Sequence, residues 1–484
     1  MEPPNPQLPI PQPPNQQPPN QQPPDQQPLI QLEALGRNGP FRARNRTTVS
    51  DVVGTPLAEL SLVPSLYVRR SLAALRAAHP LPATERTAAL ARAGRLFADA
   101  TLGGVSPGEY RDLVSRCSGL PVSVVASAAA IVADAAAEAR NTTLQARPSG
   151  AVDRWDAPST RQGQAVWTRR GNVFAVHAAG NHPGVHALWL EALALGYRVA
   201  VRPSQREPFT PHRLVTALRE AGFGHDHIAL LPTDHTVADS IIEGADLALV
   251  YGGDEVMRKY GADPTVLPQG PGRSKILLTG EDWRDHMDVV IDSVGAEGGT
   301  ACVNATAVFA ETDTVDTRAV AEETAARLAA IPSLPAGDPK AVLPVLPVAE
   351  ARAVERYLLR VAEGATAHLG GDGIVDELGD GSAVLRPAVF RLDRADARQA
   401  GTELGFPCVW VAPWSAADGI GPLRNTLVLT AITDDTPLIE RLVDEPTISN
   451  VYVGDHPTHW MRHGIPHDGY LAEFLMRSKT VIRD

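Results

Sequence analysis

Between residues 171 and 279, short apolar runs alternate with amphipathic stretches. The apolar runs predict buried strands at residues 172–177, 198–201, 228–231 and 247–251. The stretches between them predict helices at residues 184–195, 210–221 and 237–243. Strands buried on both faces that alternate with helices are typical of a right-handed, doubly wound parallel sheet. Such sheets bind small ligands at the carboxyl ends of their strands, so the loops there are the first candidates for chemistry.

A second α/β segment begins near Lys275. Its predicted strands lie at residues 275–279, 303–309, 383–390 and 409–412, with helices at 317–330 and 348–363 among them. Upstream, the spacing of apolar residues predicts helices at 71–95 and 121–140, which we interpret as packing elements. Cys117 falls in the polar connection between those two helices, and we expect it to be structural.

The N-terminal end has a composition of its own. The first 30 residues are dominated by Pro and Gln, with the near-repeats PPNQQ, PPNQQ and PPDQQ. Such a segment buries almost no apolar surface and predicts a disordered tail, which we place at residues 1–44. It has neither a cationic start nor an apolar core, so it is not typical of a secretory signal. A solvated spacer is favoured over a Pro-rich ligand for another domain.

Composition excludes several classes of partner. The formal net charge is −12, from 44 Lys+Arg against 56 Asp+Glu, which argues against binding to nucleic acid or an anionic membrane surface. No run of 18 or more apolar residues is present, so we expect no membrane span. Three cysteines are too few for a disulfide framework or a thiolate metal site and indicate a reducing compartment, the cytoplasm. The count leaves room for one reactive thiol.

Two loops at predicted strand ends carry polar side chains. Asn181 lies in the sequence AAGNHPG and is a neutral donor that could stabilise an oxyanion, or it could simply cap the helix that follows. Arg202 and Ser204 follow the next strand, where a cation and a hydroxyl can hold a ribose or a phosphate. A solvated loop charge explains Arg202 equally well.

Two further loops are rich in glycine. Gly252 and Gly253 follow a strand and precede a helix, so their N–H groups could cradle a pyrophosphate, although a single Gly-Gly pair is weak evidence. Cys302 lies in the small-residue sequence GGTACVNA before a strand, a position that favours exposure and reactivity. Against that, free cysteines are among the most often buried residues.

Taken together and in this order, the motifs resemble the aldehyde dehydrogenase superfamily from about residue 166 to residue 481. The resemblance implies Cys302 as the nucleophile and Asn181 as the donor to the thiohemiacetal oxyanion. Glu403, in ELGFP, would hold the nicotinamide ribose. The remaining cofactor-binding positions that it implies are Arg202, Ser204, Gln205, Gly252 and Gly253. The residues from 470 to 481 resemble the family's C-terminal bridging segment.

The resemblance also implies an architecture and a mechanism. We expect a Rossmann-like cofactor domain at residues 45–272, an α/β catalytic domain at 273–447 and a C-terminal oligomerisation segment at 448–484, assembled as a homodimer or homotetramer. Cys302 would attack a carbonyl, and hydride transfer with NAD or NADP would link an aldehyde to an enzyme-bound thioester.

The chain departs from the family pattern where hydrolytic members carry glutamates. Pro268 lies 34 residues before Cys302, at the position of the Glu that activates water, and Pro466 lies where a second Glu can assist. Without a base, water is a poor nucleophile, whereas coenzyme A or a carrier-protein phosphopantetheine needs no such help. The sequence GPGRSK also resembles the acyl-CoA reductases of bacterial bioluminescence systems. We therefore favour reduction of an acyl thioester, from coenzyme A or an acyl carrier protein, to an aldehyde.

A competing hypothesis keeps water as the acceptor. His467, with Asp468 beside it, or His177 or His182 could supply a base, and the enzyme would then oxidise an aldehyde to the free acid. The sequence is also compatible with a catalytically inactive scaffold, and with a cysteine hydrolase that needs no nucleotide.

The cofactor preference rests on one loop. Gln205 is neutral where many NAD-preferring members have Glu, and Arg206 follows, which favours NADP. The alternative is that Arg206 pairs with Glu207 in solvent.

Overall fold

The computed structural model describes residues 28–484, and expectations for residues 1–27 lie outside that range. The chain builds two large sheets. The first has seven strands. The first five pair with one another in parallel, and each of the last two pairs antiparallel with the strand before it. Its strands in spatial order are Val266–Gln269, Leu247–Tyr251, Val173–His177, Arg198–Arg202, Ile228–Leu230, Ala34–Gly36 and Gly39–Phe41. The doubly wound parallel sheet predicted from the apolar runs is thus confirmed.

The helices between these strands follow the predictions with one interruption. They are Phe209–Glu220, His235–Glu243 and Asp254–Tyr260. The predicted helix at 184–195 instead begins as a 3-10 turn at Pro183–His186 and becomes α-helical only at Leu190–Leu195. The chain after Asn181 therefore makes one 3-10 turn before the buried α-helix begins.

The helices before the first sheet are Ser65–Ala77, Ala83–Asp99, Pro107–Ser118 and Val122–Gln145. The single helix predicted at 71–95 is wrong, because the prolines at positions 80 and 82 separate two helices there. The expected location of Cys117 is also wrong. It lies inside the helix Pro107–Ser118 at 6% exposure, which agrees with a structural role.

The second sheet also has seven strands, all parallel except the first. In spatial order they are Thr366–Leu369, Ala388–Arg391, Cys408–Trp414, Ala305–Glu311, Ser274–Leu278, Thr426–Ile432 and Ile448–Val453. The main helices of this half are Met287–Gly295, Thr317–Ala329, Val348–Val361 and Thr436–Val443.

The strand predicted at 383–390 divides at Pro387. Ala388–Arg391 joins the second sheet, whereas Ser382–Leu385 pairs with Val345–Pro347 and Val375–Glu377 in a small antiparallel sheet. Proline has no N–H to donate to a ladder, which explains the break.

Both ends of the chain differ from the expected boundaries. The predicted disordered tail through residue 44 is wrong for residues 30–41, because Ile30–Leu32 pairs with Pro56–Ser61, itself paired with Arg46–Ser50, and two further strands join the first sheet. At the other end, Ile448–Val453 is the edge of the second sheet. After the short helix Leu471–Leu475, Met476–Val481 pairs antiparallel with Gln164–Arg169.

One helix meets the length and composition of a membrane span, contrary to the expectation from the sequence. Val122–Gln145 has 24 residues and a mean hydropathy of 1.6. Val125, Val132 and Ala136 are fully buried in the first domain's core, where the helix packs against Ala83–Asp99 and Leu190–Leu195. This packing is typical of a core helix in a globular domain.

Candidate active site

The carboxyl ends of the first sheet's strands and the amino ends of the second sheet's strands meet at one place. Asn181 follows the strand Val173–His177, and Cys302 precedes the strand Ala305–Glu311. The exposed Asn181 side chain donates from Nδ2 to the Thr300 carbonyl over 3.2 Å. The structure therefore brings the predicted oxyanion donor to the loop of the predicted nucleophile.

The loop before Cys302 has an unusual backbone. Glu297, Gly298 and Gly299 have φ values of 52°, 70° and 67°, in the left-handed region. A Cβ at Gly299 would lie 2.3 Å from the Pro407 nitrogen, and a Cβ at Gly272 would lie 1.8 Å from the Cys302 carbonyl oxygen. These close approaches require glycine, and they fix the position of the cysteine backbone.

The Cys302 thiol faces a histidine. Its Sγ lies 3.8 Å from His467 Nε2. Burial, and next the charge of Glu403, raise the pKa of the thiol to about 12, so it is protonated at rest. Burial lowers the pKa of His467, so the imidazole is neutral and Nε2 can accept a proton from the thiol. His467, one of the candidate bases, thus lies next to the predicted nucleophile, and its role as a base stays a prediction.

The two other candidate bases are unsuitable. His182 uses both ring nitrogens, since Nδ1 accepts from the Gly184 N–H over 3.1 Å and Nε2 lies 3.1 Å from Glu297 Oε2. His177 is buried, and burial together with Arg202 lowers its pKa to about 3. Of the three histidines, His467 is the one whose ring nitrogen contacts the Cys302 thiol within residues 28–484.

Glu403 lies at the same site. Its Oε2 accepts from the Arg273 N–H over 2.7 Å, and burial raises the pKa of the carboxyl. Asp468 accepts from Ser449 Oγ over 2.7 Å. Both carboxylates whose charges act on the Cys302 thiol are thus already engaged by protein donors.

Arg273 was not assigned a role from the sequence. Its backbone N–H holds Glu403, its Nε donates to the Gly401 carbonyl over 2.9 Å, and its Nη2 lies 2.6 Å from Asp254 Oδ1. Arg273 therefore joins the Glu403 loop to the turn at Gly253. Arg273 has a φ of 49°, which is unusual for a residue other than glycine. Nothing in the sequence indicates this backbone conformation.

The Gly252–Gly253 turn has room for a ligand. The Gly252 N–H donates to the Gln269 carbonyl over 3.0 Å, and a Cβ there would lie 2.3 Å from Val256 Cγ2. At Gly253, directly before the helix Asp254–Tyr260, a Cβ would meet nothing within 4 Å. Within the described residues, the turn is therefore open where a side chain at Gly253 would project, whereas the Gly252 N–H is already used within the sheet.

The loop after Arg202 is held by internal bonds. The buried Arg202 donates to Thr233 Oγ1 over 2.9 Å and to its carbonyl over 3.3 Å, and Gln205 donates to the same carbonyl over 3.1 Å. Ser204 Oγ accepts from the Arg206 N–H and contacts Gly180, where a Cβ would lie 2.3 Å away. Arg202 and Gln205 thus shape this loop, and Ser204 links it to the Asn181 loop.

The predicted alternative in which Arg206 pairs with Glu207 in solvent is wrong. Arg206 Nη2 donates to the Ser118 carbonyl over 3.1 Å. Glu207 is 2% exposed, accepts from the Thr210 N–H over 2.8 Å, and burial raises its pKa to about 7. Arg206 therefore contacts the end of the neighbouring helix Pro107–Ser118. Glu207 instead accepts a hydrogen bond from the first turn of the helix that follows it, Phe209–Glu220.

The comparisons with known proteins agree with this arrangement. The model of the aldehyde dehydrogenase family matches residues 65–472. The chain belongs to the aldehyde dehydrogenase family. The predicted enzyme class, an oxidoreductase that acts on aldehyde or oxo groups with NAD(P), is the class of this family.

Relatives in this family share limited identity with the chain. It is 26% identical over 313 residues to 2-hydroxymuconic semialdehyde dehydrogenase of Pseudomonas sp. (strain CF600), which covers 59% of this chain and 62% of the relative. It is 27% identical over 233 residues to malonate-semialdehyde dehydrogenase of Bacillus cereus, which covers 45% and 47%. The chain thus matches about half to three-fifths of these relatives' length.

Solved structures of aldehyde dehydrogenases share the fold. Indole-3-acetaldehyde dehydrogenase in complex with NAD⁺ superposes with a TM-score of 0.77 at 18% identity, over 93% of this chain and 96% of that one. The aldehyde dehydrogenase KauB from Pseudomonas aeruginosa gives 0.78 at 16% identity, over the same shares. The predicted fold class, with a Rossmann-like domain and an α/β catalytic domain, is confirmed.

Proposed function

We propose that this aldehyde dehydrogenase-family protein interconverts an acyl thioester and an aldehyde, with NADP or NAD as cofactor and a thiol as the acyl acceptor or donor. The observation that carries the proposal is the surroundings of Cys302. His467 Nε2 lies 3.8 Å from Sγ, whereas Glu403 and Asp468 are held by Arg273 and Ser449. The site therefore has a base beside the thiol, and one oxygen of each nearby carboxylate is already held by a protein donor.

The first step uses residues that are already in contact. His467 Nε2 accepts the Cys302 proton, and the resulting thiolate attacks the carbonyl carbon of the thioester. The Asn181 amide keeps one N–H on the Thr300 carbonyl and has a second N–H for the developing oxyanion. Collapse breaks the bond to the leaving thiolate, which takes the proton back from His467. The acyl group is then bonded to Cys302.

The cofactor supplies the hydride that reduces this enzyme-bound thioester, or takes it in the reverse direction. The turn at Gly253 would hold the pyrophosphate, Ser204 the adenosine side and Glu403 the nicotinamide ribose, while the Gly252 N–H stays on the Gln269 carbonyl. Breaking of the C–S bond releases the aldehyde, and the Cys302 thiolate takes a proton that comes from solvent. The preference for NADP rests on the neutral Gln205, since Arg206 is turned towards Ser118.

The second candidate function is oxidation of an aldehyde to the free acid. Two observations favour it: His467 could activate water after the acyl group has formed, and the relatives are named semialdehyde dehydrogenases. In that case water replaces the thiol as the nucleophile, and coenzyme A has no effect.

Product analysis separates the two functions. The enzyme is incubated with an aldehyde and NADP⁺ or NAD⁺, with and without coenzyme A, and the products are identified by mass spectrometry. We expect an acyl-coenzyme A product and turnover that requires the thiol. Free acid at a rate independent of any thiol acceptor, including a carrier-protein phosphopantetheine, would overturn the proposal and support the second candidate. Cys302→Ala should abolish both activities, and stoichiometric labelling of Cys302 by iodoacetamide that bound cofactor slows would exclude an inactive scaffold.

The assembly and location are proposed on separate grounds. Met476–Val481 pairs with Gln164–Arg169 in a two-stranded sheet. Most residues of Met476–Val481 are exposed. Val152 bonds to the edge of Gln164–Arg169, whereas no strand covers the outer edge of Met476–Val481 within residues 28–484. An uncovered strand edge is a ready site for pairing with another copy, which supports a homodimer or homotetramer. The acidic composition and three free cysteines support a cytoplasmic enzyme whose partners are small molecules and an acyl carrier protein.

A further inference from the structure

Asn304 is a buried amide at the end of the loop that carries Cys302. Its side chain is 7% exposed. Oδ1 accepts from the Ala301 N–H over 2.9 Å, and Nδ2 donates to the Ser293 carbonyl over 3.1 Å and to the Ala296 carbonyl over 2.8 Å. All three partners are backbone groups that precede Cys302 in the chain. The amide therefore spends both of its N–H donors and one acceptor position on the segment that leads to the sulfur.

The two bonds from Nδ2 fix the orientation of the amide. The helix Met287–Gly295 ends just before the left-handed turn, and the last carbonyls of a helix have no partner inside it. Nδ2 supplies such a partner at Ser293, in the last turn of this helix. A reversed amide would place Oδ1 against two carbonyl oxygens, so Oδ1 stays on the Ala301 N–H.

Asn304 also closes a turn around Cys302. Its backbone N–H donates to the Ala301 carbonyl over 3.0 Å, while its side chain holds the Ala301 N–H. On the other side, Ser274 Oγ donates to the Cys302 carbonyl over 3.2 Å. The backbone of Cys302 is thus held from both directions.

Two N–H groups inside this turn act on the sulfur. Burial and next the charge of Glu403 raise the pKa of the Cys302 thiol, whereas the N–H groups of Cys302 and Val303 act in the opposite direction. Neither N–H donates to an oxygen acceptor within residues 28–484. Consecutive backbone N–H groups that point into one concavity are a binding site for an anion. The anion available at this position is the Cys302 thiolate.

We propose that Asn304 is a positioning residue that keeps the N–H groups of Cys302 and Val303 directed at the sulfur, where they stabilise the thiolate. Asn304 itself exchanges no proton, because the thiol proton passes from Sγ to His467 Nε2. Loss of the amide would free the Ala301 N–H and let the peptides of the turn rotate away from Sγ. The proposal rests on Cys302 as the nucleophile of the proposed function, and it holds whether a thiol or water accepts the acyl group.

The test is the rate at which iodoacetamide alkylates Cys302 in the full chain at neutral pH, because the thiolate is the reacting form. Asn304→Ala should raise the pKa of the thiol by about one unit and leave about a tenth of the thiolate. A thiolate of higher pKa is more nucleophilic, so the rate should fall about three- to fourfold. The variant retains the other titratable groups around the thiol, which are His467, Glu403, Asp468 and Tyr251.

The sign of the change separates positioning from general loosening. A loop that is merely loosened would expose the sulfur and speed up its alkylation. Thr324→Val is the matched control, because Thr324 is fully buried in the helix Thr317–Ala329 and its hydroxyl donates to the Val320 carbonyl over 2.7 Å. This control should leave the alkylation rate unchanged, whatever its effect on the melting temperature. An Asn304→Ala protein that is alkylated as fast as the wild type, or faster, would overturn the proposal.

A second measurement covers the case in which Asn304→Ala does not fold. Hydrogen–deuterium exchange, resolved to single amides by mass spectrometry, is compared between the wild type and Cys302→Ala. The Ala301 amide should exchange slowly in both proteins, and the Val303 amide should exchange faster where the sulfur is missing. An unprotected Ala301 amide, or a Val303 amide that ignores the loss of the sulfur, would overturn the proposal.

Neither measurement requires turnover. A free-acid product would therefore overturn the thioester chemistry proposed above and leave the role of Asn304 standing. Conversely, unchanged alkylation in Asn304→Ala would remove that role and leave the proposed reaction untouched.

Discussion

His182 Nε2 lies 3.1 Å from Glu297 Oε2, although the two residues are 115 positions apart in the chain. His182 follows the oxyanion donor Asn181, and Glu297 begins the left-handed turn that leads to Cys302. Together with the bond from Asn181 to the Thr300 carbonyl, this pair fixes the donor relative to the nucleophile. His182 thus acts through position rather than as a base.

Removal of this pair should lower turnover more than binding. Glu297→Ala is expected to reduce kcat by about tenfold, the cost of one hydrogen bond to a charged group, and to change KM little. Glu297→Gln retains an acceptor for His182 Nε2 and should recover most of the activity.

A double-mutant cycle with His182→Gln checks whether the residues act as a unit. Additive losses in kcat for the two substitutions would contradict the coupling, and so would an equal loss for Glu297→Gln and Glu297→Ala. Thermal unfolding of each variant controls for general destabilisation.

The pH profile of turnover should report the Cys302–His467 contact. The proton acceptor is neutral His467, whose pKa is lowered by burial, so activity should fall as the pH falls through that value, below the ordinary range of histidine. His467→Ala should lower kcat/KM by about 10²–10⁴-fold and remove this acidic limb. Steady-state rates between pH 4 and pH 9 measure both effects, and an unchanged acidic limb in the variant would contradict them.

Glu191 should make stability depend on pH. It is 8% exposed, its Oε2 has no hydrogen-bond partner among residues 28–484, and burial raises its pKa to about 8. The native state therefore holds a proton that the unfolded chain has lost, so this group's contribution to stability is present below the ordinary pKa of Glu and is lost as pH rises through about 8.

Glu191→Gln should thus raise the melting temperature at pH 9 and change it little at pH 5. The solvent-exposed Glu220 provides the matched control, since Glu220→Gln should have no such pH-dependent effect. Differential scanning calorimetry at the two pH values measures the difference, and equal shifts at both pH values would count against a buried neutral carboxyl.

The turn before Cys302 should not tolerate a side chain. Gly299→Ala combines a φ of 67° with a Cβ 2.3 Å from the Pro407 nitrogen, so it should destabilise the protein by about 1–3 kcal/mol and displace the thiol. Gly253→Ala, where a Cβ meets nothing within 4 Å, should leave the melting temperature unchanged. Urea unfolding and the rate of iodoacetamide labelling of Cys302 check the two expectations together.

The local pattern of the chain determined the parallel sheets. Strands buried on both faces must be continuous apolar runs, so Val173–His177 and Leu247–Tyr251 could be predicted to within a residue. The break at the proline before Ala388 was missed. The strands of residues 30–41 were missed because each has only three residues and because Ala34–Gly36 joins the sheet through Leu230, far away in the chain.

For the site, residue type and spacing, read through the family resemblance, predicted Cys302, Asn181 and Glu403, because these groups carry chemistry that few other side chains can supply. The roles of Arg273, His182 and Glu297 came only from the tertiary structure. A hydrogen bond or an ion pair depends on distance in space, and residues 130 or 115 positions apart leave no local signal of their contact. For the same reason, only the folded chain decided that Arg202 and Arg206 spend their donors on Thr233 and Ser118.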